Sequence, residues 1–361
     1  MTRTILLVAG ARPNFVKVAP LMPALAEFPD MRTVLVHTGQ HYGAEMSDSF
    51  FRDLSIPEPE IHLGVGSGSH ADQTARIMVE FERVVEERKP DLVVVVGDVN
   101  STLGCSLVAA KASVPLAHVE AGLRSFDRSM PEEINRLVTD CLATILFTTS
   151  QDADEHLLAE GHGADQIHFV GNTMIDTLLR HRETVAARPP PGELPSGVRD
   201  YALVTLHRPA NVDDPDNLRG ILEALSGLSL PVVFPMHPRT RAVAESAGMS
   251  DLLRTLHVIA PVGYLDFLCL QMHARIVLTD SGGIQEETTV LGVPCLTFRD
   301  NTERPITVSH GTNRLIGTNP DRIAFEVAAT LASPPPAGRI PPLWDGHAAD
   351  RIAEVLAQAM R

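Results

Sequence analysis

The chain has 361 residues, more than one typical hydrophobic core supports and about right for two domains. Its formal net charge of −15 argues against broad binding to nucleic acids or anionic membranes, since basic patches drive both. It has no apolar run long enough for a transmembrane helix or a signal peptide, and its four isolated cysteines lack the CxxC spacing of a local metal motif.

In the first half of the chain, short β-branched runs alternate with longer amphipathic segments. The apolar runs predict strands at 4–9, 33–37, 92–96, 116–118 and 145–148, and the segments between them predict helices at 15–28, 71–88, 101–112 and 131–142. Runs that are apolar at every position are typical of parallel strands buried on both faces. This half therefore predicts a doubly wound α/β domain.

The same alternation resumes after a stretch rich in Pro and Gly at 185–200, which predicts a surface connection. A helix is predicted at 174–187, before this stretch. After it, strands are predicted at 202–206, 231–236, 256–259, 276–279 and 295–298, with a helix at 216–225. A second Pro-rich break precedes an amphipathic helix at 347–360, which could pack on either half. The fold class is α/β, with two Rossmann-like doubly wound domains.

Polar and charged residues follow nearly every predicted strand. They include Arg12, Lys17, Gln40, His41, Asp98, Glu120, His207, His237 and the segment 280–283. Ligands of parallel α/β sheets bind beyond the carboxyl ends of the strands. The pattern therefore predicts a ligand site at those ends, for which a purely structural protein has no need.

The segment 276–288 combines a buried strand with Ser281, Gly282, Gly283 and the start of a helix. Free N–H groups at a helix start, a hydroxyl and two glycines form a cradle for a phosphate or diphosphate. Glu287, in the first turns of that helix, could accept hydroxyls of a ribose. The alternative interpretation is an ordinary serine N-cap with an acidic first turn. Neither GxGxxG after the first strand nor GxxxxGK[ST] is present.

The acidic residues Asp98, Glu120 and Glu132 differ from those of a solvated helix face. Asp98 and Glu120 follow apolar strands, and Glu132 stands at a helix start. Together with His207 they could supply general acids and bases without a metal ion. The alternative is structural: turns, helix-dipole acids, or ion pairs with Arg124 or Arg136.

These residues lie in motifs that match a known family. The motifs are GARPNFVKVAPL (10–21), HTGQHY (37–42), GDVNSTLG (97–104), AHVEAGLRSFDRSMPEEINRLVTD (117–140), GNTMIDTL (171–178), VTLHRPANVD (204–213), MHPRTR (236–241) and the forty residues 278–317. On them the chain resembles the non-hydrolysing UDP-N-acetylglucosamine 2-epimerases over essentially its whole length. The resemblance implies a glycosyltransferase-B-like fold whose two domains face a central cleft. An N-terminal domain of residues 1–170 plus 346–361 would carry the catalytic carboxylates, with the C-terminal helix crossing back to it, and residues 171–345 would bind UDP.

The activity implied by the resemblance is reversible epimerisation at C2 of UDP-N-acetylglucosamine to UDP-N-acetylmannosamine. The family's route is anti-elimination of UDP to 2-acetamidoglucal, followed by re-addition. The expected partner is the UDP-sugar, without cofactor or metal, and the expected setting is a cytoplasmic homodimer in polysaccharide biosynthesis. The alternatives are a hydrolysing 2-epimerase that releases N-acetylmannosamine and UDP, a 2-epimerase of a related UDP-diacetamido sugar, a non-catalytic nucleotide-sugar binder, and a glycosyltransferase.

Residue roles follow from the matching motif positions. By this resemblance, the catalytic residues would be Asp98, Glu120, Glu132 and His207. The substrate-binding residues would be Arg12, Lys17, Ser281, Gly282, Gly283, Glu287 and Arg314. A regulatory UDP-sugar site of some bacterial members is matched by Gln40, His41 and His237. The chain departs from the family at Ala11 and Asn14, where many members have Thr and Glu. This departure alters a polar contact at the first-strand turn.

Overall fold

The computed structural model describes residues 2–39, 51–188, 200–333 and 339–361. The chain divides into two compact units, one formed by residues 1–180 with 342–361 and the other by residues 181–341. From the sequence the first division was expected at 170/171. Each unit is built around one sheet in which all strand pairs are parallel.

The sheet of the first unit has seven strands in the order β3-β2-β1-β4-β5-β6-β7. The strands are β1 Arg3–Ala9, β2 Met31–His37, β3 Ile61–His62, β4 Leu92–Val96, β5 Leu116–Ala121, β6 Ile145–Thr148 and β7 Ile167–Phe169. The helices are α1 Arg12–Val18, α2 Leu21–Ala26, α3 His70–Arg88, α4 Asn100–Lys111, α5 Pro131–Leu142, α6 Gln151–Ala159 and α7 Thr173–Ala186. The strand order reverses direction between β1 and β4, which is where doubly wound sheets bind their ligands.

Both faces of this sheet are covered because β1, β4 and β5 are apolar almost throughout. All five residues of β4 are buried, and alternate residues such as Val93 and Val95 share a core cluster with Ile77 and Phe81 of α3. Helix α3 is capped at its N-terminus by Ser69, whose side chain accepts a hydrogen bond from the Asp72 N–H. At its C-terminus it is capped by Lys89, which has a left-handed backbone. Burial on both sides fixes the strands, and the residues beyond their carboxyl ends are left to form loops.

The second unit repeats the same topology with six strands in the order β10-β9-β8-β11-β12-β13. The strands are β8 Ala202–Thr205, β9 Val232–Pro235, β10 His257–Ile259, β11 Ile276–Thr279, β12 Cys295–Thr297 and β13 Asn313–Leu315. The helices are α8 Pro209–Val212, α9 Pro215–Ser226, α10 Pro238–Ser246, α11 Ser250–Thr255, α12 Tyr264–His273, α13 Gly282–Leu291, α14 Ile306–Ser309 and α15 Pro320–Ala332. Here the reversal falls between β8 and β11.

The C-terminal segment returns to the first unit, ending in helix α16 Ala348–Ala359. Trp344 is buried and its indole N–H donates to the Thr149 carbonyl over 2.8 Å. The Asp176 carboxylate on α7 accepts the backbone N–H groups of Ala348 and Ala349, at 3.2 and 2.7 Å. These contacts decide which unit α16 packs on, a choice that its amphipathic pattern left open.

The predicted fold class is confirmed, and the predicted strands match the observed ones apart from their ends. The helix predicted at 15–28 is wrong in one respect: it is two helices, because Pro20 has no N–H to continue the first and stands at the start of the second. Strands β3, β7 and β13 were not predicted; each has only two or three residues. Cys105, Cys269 and Cys295 are buried, whereas Cys141 is exposed. None of the described helices is long and apolar enough to span a bilayer.

Candidate active site

In the first unit, Asp98 lies just beyond β4 and is fixed by helix α5. Its carboxylate accepts from Arg136 Nη1 at 2.5 Å, and its backbone carbonyl accepts from Asn135 Nδ2 at 2.8 Å. The Asp98 side chain is 23% exposed, whereas that of Arg136 is buried. The ion pair that the sequence left as an alternative therefore exists, and it leaves part of the carboxylate open to a ligand.

Glu133 is the residue that holds Arg136. Its carboxylate lies 2.6 Å from Arg136 Nη2 and accepts the backbone N–H groups of Ser125 and Phe126. Burial opposes its ionisation, but these hydrogen bonds and the Arg136 charge outweigh burial and lower the pKa of Glu133. Glu133 is thus a structural acid that keeps the arginine in place under Asp98.

Glu120 lies inside β5, whereas the sequence predicted that it follows this strand. The register with β6 shifts between Val119 and Ala121, and Glu120 has a left-handed backbone with φ 75°. A β-bulge of this kind redirects a side chain. The Glu120 carboxylate forms a buried ion pair with Lys17 Nζ from α1. The bulge therefore brings an acid of β5 to the last turn of α1.

Gly97 provides the space for this ion pair. A Cβ on Gly97 would lie 3.0 Å from Lys17 Nζ and 3.2 Å from Glu120 Oε2, and the residue has φ 65°. Because Gly97 directly precedes Asp98, the Glu120–Lys17 pair and the Asp98–Arg136 pair meet at one edge of the sheet. The structure thus brings together Asp98, Glu120 and Lys17 of the predicted site.

Asn14 organises the turn after β1. Its Oδ1 accepts the N–H groups of Gly10 and Ala11, both at 3.0 Å, and its Nδ2 donates to the Val96 carbonyl at 3.0 Å. Asn14 therefore ties the end of β1 to β4 through a neutral amide. It places no second charge beside Lys17.

Glu132 lies in the first turn of α5, four residues before Arg136 and so on the same face of the helix. Its side chain is partly exposed, and within the described residues no hydrogen bond or ion pair is recorded for it. Glu132 is thus the predicted acid that is least engaged by the protein.

In the second unit, His207 follows β8 and contacts Asp280, which follows the neighbouring strand β11. His207 Nδ1 lies 2.7 Å from Asp280 Oδ1; the imidazole is 58% exposed, whereas the carboxylate is fully buried. Burial alone would raise the pKa of Asp280, but the His207 charge and the donors around the carboxylate lower it. The carboxylate is therefore ionised and holds an exposed imidazole.

The N-terminus of α13 carries Gly282 and Gly283, preceded by Ser281, which makes no side-chain cap. A Cβ on Gly282 would lie 2.5 Å from Arg304 Nη1, so the guanidinium group stands at the helix start. Arg304 Nε lies 2.9 Å from the Glu286 carboxylate. A helix N-terminus with a buried arginine beside it is suited to an anion such as a diphosphate.

Glu287 is buried one turn into α13. Its Oε2 accepts from Gln271 Nε2 at 2.6 Å, and Tyr264 is a second partner on the same helix α12. Burial raises the pKa of Glu287 against the effect of these two hydrogen bonds. The carboxyl group is thus held in one position, as recognition of vicinal hydroxyls requires.

Other predicted residues lie elsewhere or outside the described part. Arg314, on β13, pairs with Glu326 at 2.9 Å, and its side chain is half exposed. His237 starts α10, where its Nδ1 accepts the Arg239 N–H at 3.2 Å. Gln40, His41 and the side chain of Arg12 lie outside the described residues. The regulatory site therefore remains a prediction.

From the sequence, Arg304 was given no role, and Asp280 was given none beyond its place at a strand end. Asp280 directly precedes Ser281 and follows β11 immediately, so it lies beyond the carboxyl end of a strand like the other predicted residues. Arg304 lies beside Gly282 in the structure. Arg136 was considered only as a structural partner. Within the described residues, no group of three or more His, Cys, Asp or Glu side chains has the arrangement of a metal site.

Comparisons with known proteins agree on one family. The sequence profile described as UDP-N-acetylglucosamine 2-epimerase matches residues 23–357. The chain is 40% identical to UDP-N-acetylglucosamine 2-epimerase of Methanocaldococcus jannaschii over 97% of this chain and 98% of that one. It is 41% identical to UDP-2,3-diacetamido-2,3-dideoxy-D-glucuronate 2-epimerase of Pseudomonas aeruginosa, over 98% and 99%. The crystal structure of the M. jannaschii enzyme with UDP-GlcNAc and UDP matches with a TM-score of 0.92 and 40% identity, covering 98% and 99%.

Proposed function

The chain belongs to the UDP-N-acetylglucosamine 2-epimerase family, and from that premise we propose that it interconverts UDP-N-acetylglucosamine and UDP-N-acetylmannosamine without net hydrolysis. One observation carries the proposal: Asp98 and the Glu120–Lys17 pair converge at the ligand-binding edge of the first sheet. The corresponding edge of the second sheet carries His207 and the α13 N-terminus. The first edge supplies acids and bases, and the second supplies anion binding.

The chemistry needs both. The C2 proton of an N-acetyl sugar is too weakly acidic to be removed directly at neutral pH, so C2 is inverted through elimination. The C2–H and C1–O bonds break, a C1=C2 double bond forms, and UDP leaves with the C1–O electron pair. UDP then adds back to C1 while a proton is delivered to the other face of C2. The reaction therefore requires proton carriers at C2 and stabilisation of the departing diphosphate.

We assign the proton transfers at C2 to Asp98, Glu120 and Glu132. The Asp98 carboxylate is paired with the Arg136 guanidinium group, and Glu120 is positioned by its bulge against Lys17. Glu132 is open to a ligand at the start of α5. Each carboxylate is anchored on a different element, so each can approach the sugar from its own direction.

We assign the diphosphate to His207, Ser281, Gly282, Gly283 and Arg304. Backbone N–H groups at the α13 start and the Arg304 guanidinium stabilise charge that develops on the leaving oxygen. Glu287, fixed by Gln271, would accept hydroxyls of the ribose. The family resemblance also predicts that Arg12 binds the diphosphate. It further predicts a homodimer, and light scattering of the purified protein tests this oligomeric state.

A second candidate substrate follows from the Pseudomonas aeruginosa relative. That enzyme is named for UDP-2,3-diacetamido-2,3-dideoxy-D-glucuronate and is as similar to this chain as the M. jannaschii enzyme. Its sugar carries an extra amide and a carboxylate, which would need added donors. The same elimination chemistry would serve either sugar, so both belong in the assay.

The test is incubation of the purified protein with UDP-N-acetylglucosamine in D₂O, followed by NMR. We expect UDP-N-acetylmannosamine to appear and deuterium to enter C2 of both UDP-sugars, because the C2 proton is lost and replaced. Free N-acetylmannosamine with stoichiometric UDP would instead identify a hydrolysing enzyme. Turnover of the diacetamido sugar alone would reassign the substrate, and turnover of neither would refute the proposal.

A further inference from the structure

The imidazole of His207 is bound to the buried carboxylate of Asp280. Thr205 and Thr279 are paired in register on β8 and β11, and their hydroxyls lie 2.7 Å apart. His207 and Asp280 follow these two residues, so the strand pairing itself sets the 2.7 Å contact between Nδ1 and Oδ1. The contact thus belongs to the sheet rather than to a flexible loop.

Asp280 is itself held by several donors. Its carboxylate accepts the backbone N–H of His207 at 3.1 Å, that of Arg208 at 2.9 Å and Asn211 Nδ2 at 3.0 Å. A buried carboxylate with these donors stays ionised and cannot rotate away. Since an ionised carboxylate only accepts hydrogen bonds, the proton of the neutral His207 ring must be on Nδ1. In the neutral ring the other nitrogen, Nε2, is then the unprotonated one, and the ring is 58% exposed.

We propose that Asp280 is a positioning residue that fixes the tautomer and orientation of His207, so that Nε2 is presented to the leaving diphosphate. This inference rests on the proposed function. When the ring is protonated, Asp280 stabilises the imidazolium, and the Nε2–H donates a hydrogen bond to the phosphate oxygen on which charge develops. The carboxylate acts only through the histidine and does not touch the substrate.

A double-mutant cycle measures this dependence. Asp280→Asn keeps the size of the side chain but removes the charge, and we expect kcat for UDP-N-acetylglucosamine to fall roughly tenfold to a thousandfold. His207→Gln removes the ring. If Asp280 acts through His207, the double variant should match His207→Gln within about threefold, because no ring remains to be oriented.

The matched control is Thr205→Val, which disturbs the same strand pair without touching either residue; its kcat should stay within about threefold of wild type. The proposal is overturned if Asp280→Asn changes kcat less than twofold. It is also overturned if Asp280→Asn lowers kcat by its full factor in the His207→Gln background, as a purely structural role would.

A spectroscopic measurement keeps the inference testable if Asp280→Asn does not fold or the enzyme shows no epimerase activity. In wild-type protein labelled with ¹⁵N-histidine, with His207→Gln giving the assignment, the neutral His207 ring should show a protonated Nδ1 and an unprotonated Nε2. A ring protonated on Nε2 would overturn the proposal. Absence of turnover would refute the proposed function and leave this tautomer measurement readable.

Discussion

Glu120 is the residue at which the first unit departs most from regular structure. A left-handed backbone is strained by about 1–2 kcal/mol for a residue with a Cβ, and such strain persists only where the surroundings impose it. Here they do: Asp140 lies 2.5 Å from the His118 ring and accepts the Gly122 N–H at 3.0 Å. One buried carboxylate thus holds the residues two before and two after Glu120.

The His118 ring extends this arrangement to the next strand. Its Nε2 lies 2.8 Å from the Gly97 carbonyl, while Nδ1 faces Asp140. Both ring nitrogens therefore face oxygen atoms of the protein. Asp140 also lies 2.7 Å from the buried Arg124, which, with the His118 charge, lowers the pKa of Asp140 against the effect of burial. The turn that carries Asp98 and the bulge that carries Glu120 share this support.

Gly97→Ala tests the packing of the site at the residue scale. The new methyl group would lie 3.0 Å from Lys17 Nζ and 3.2 Å from Glu120 Oε2, so the ion pair must shift. We expect kcat to fall at least tenfold, together with about 1–2 kcal/mol of stability from the left-handed backbone. Enzyme assay and urea denaturation measure the two effects.

Gly248→Ala is the matched control for this variant. Gly248 has φ 72°, and a Cβ added there would have no atom within 4 Å. Gly248→Ala should therefore lose as much stability as Gly97→Ala but keep its kcat. Equal kcat in the two variants would contradict the role given to the Gly97 space.

At the scale of the elements, the start of helix α16 is hydrogen-bonded to a buried acid, Asp176. Asp176 accepts two N–H groups at the start of α16, yet burial dominates and raises its pKa to about 6. A carboxyl whose pKa is higher in the folded than in the unfolded chain favours folding when protonated. Its contribution is present below about pH 4 and is lost as the pH rises through 6.

Asp176→Asn tests this linkage. The neutral amide can still accept one of the N–H groups but does not ionise. Between pH 4 and pH 7.5 the free energy of unfolding of the wild type should fall relative to the variant by on the order of 2–3 kcal/mol. Urea denaturation at both pH values measures it. Asp30→Asn, at an exposed position, should track the wild type, and parallel pH profiles for Asp176→Asn and wild type would refute the assignment.

At the scale of the whole molecule, the two units repeat one topology but carry different groups beyond the carboxyl ends of their strands. The first edge presents carboxylates with their paired cations, and the second presents a helix N-terminus with Arg304. We therefore expect nucleotide affinity and proton transfer to respond to substitutions in different units, even though the chain as a whole carries −15.

UDP-induced stabilisation tests this division. UDP at 100 times its Kd should stabilise the wild type by about 2.7 kcal/mol. Asp98→Asn should keep that stabilisation while kcat falls at least a hundredfold. Gly282→Ala should lose it, since the methyl group would stand 2.5 Å from Arg304 Nη1. Thermal unfolding with and without UDP measures the effect.

Gly227→Ala is the control in the same unit. Its Cβ would make only ordinary contacts at 3.7 Å, so UDP should stabilise it as it does the wild type. Loss of UDP binding in Asp98→Asn, or its retention in Gly282→Ala, would contradict the division.

The sequence by itself determined the two sheets and the polar residues at the ends of their strands. Buried parallel strands are apolar at every position, and the polar residues at their ends stand out locally, as Asp98, His207 and Ser281 do. The tertiary structure alone decided the partners: Lys17 with Glu120, Asp280 with His207, Arg304 beside Gly282, and α16 on the first unit. Strand character is a short-range pattern, whereas Lys17 and Glu120 are 103 residues apart. Such a pair depends on the order of strands and on one bulge, neither of which leaves a periodic signal in the chain.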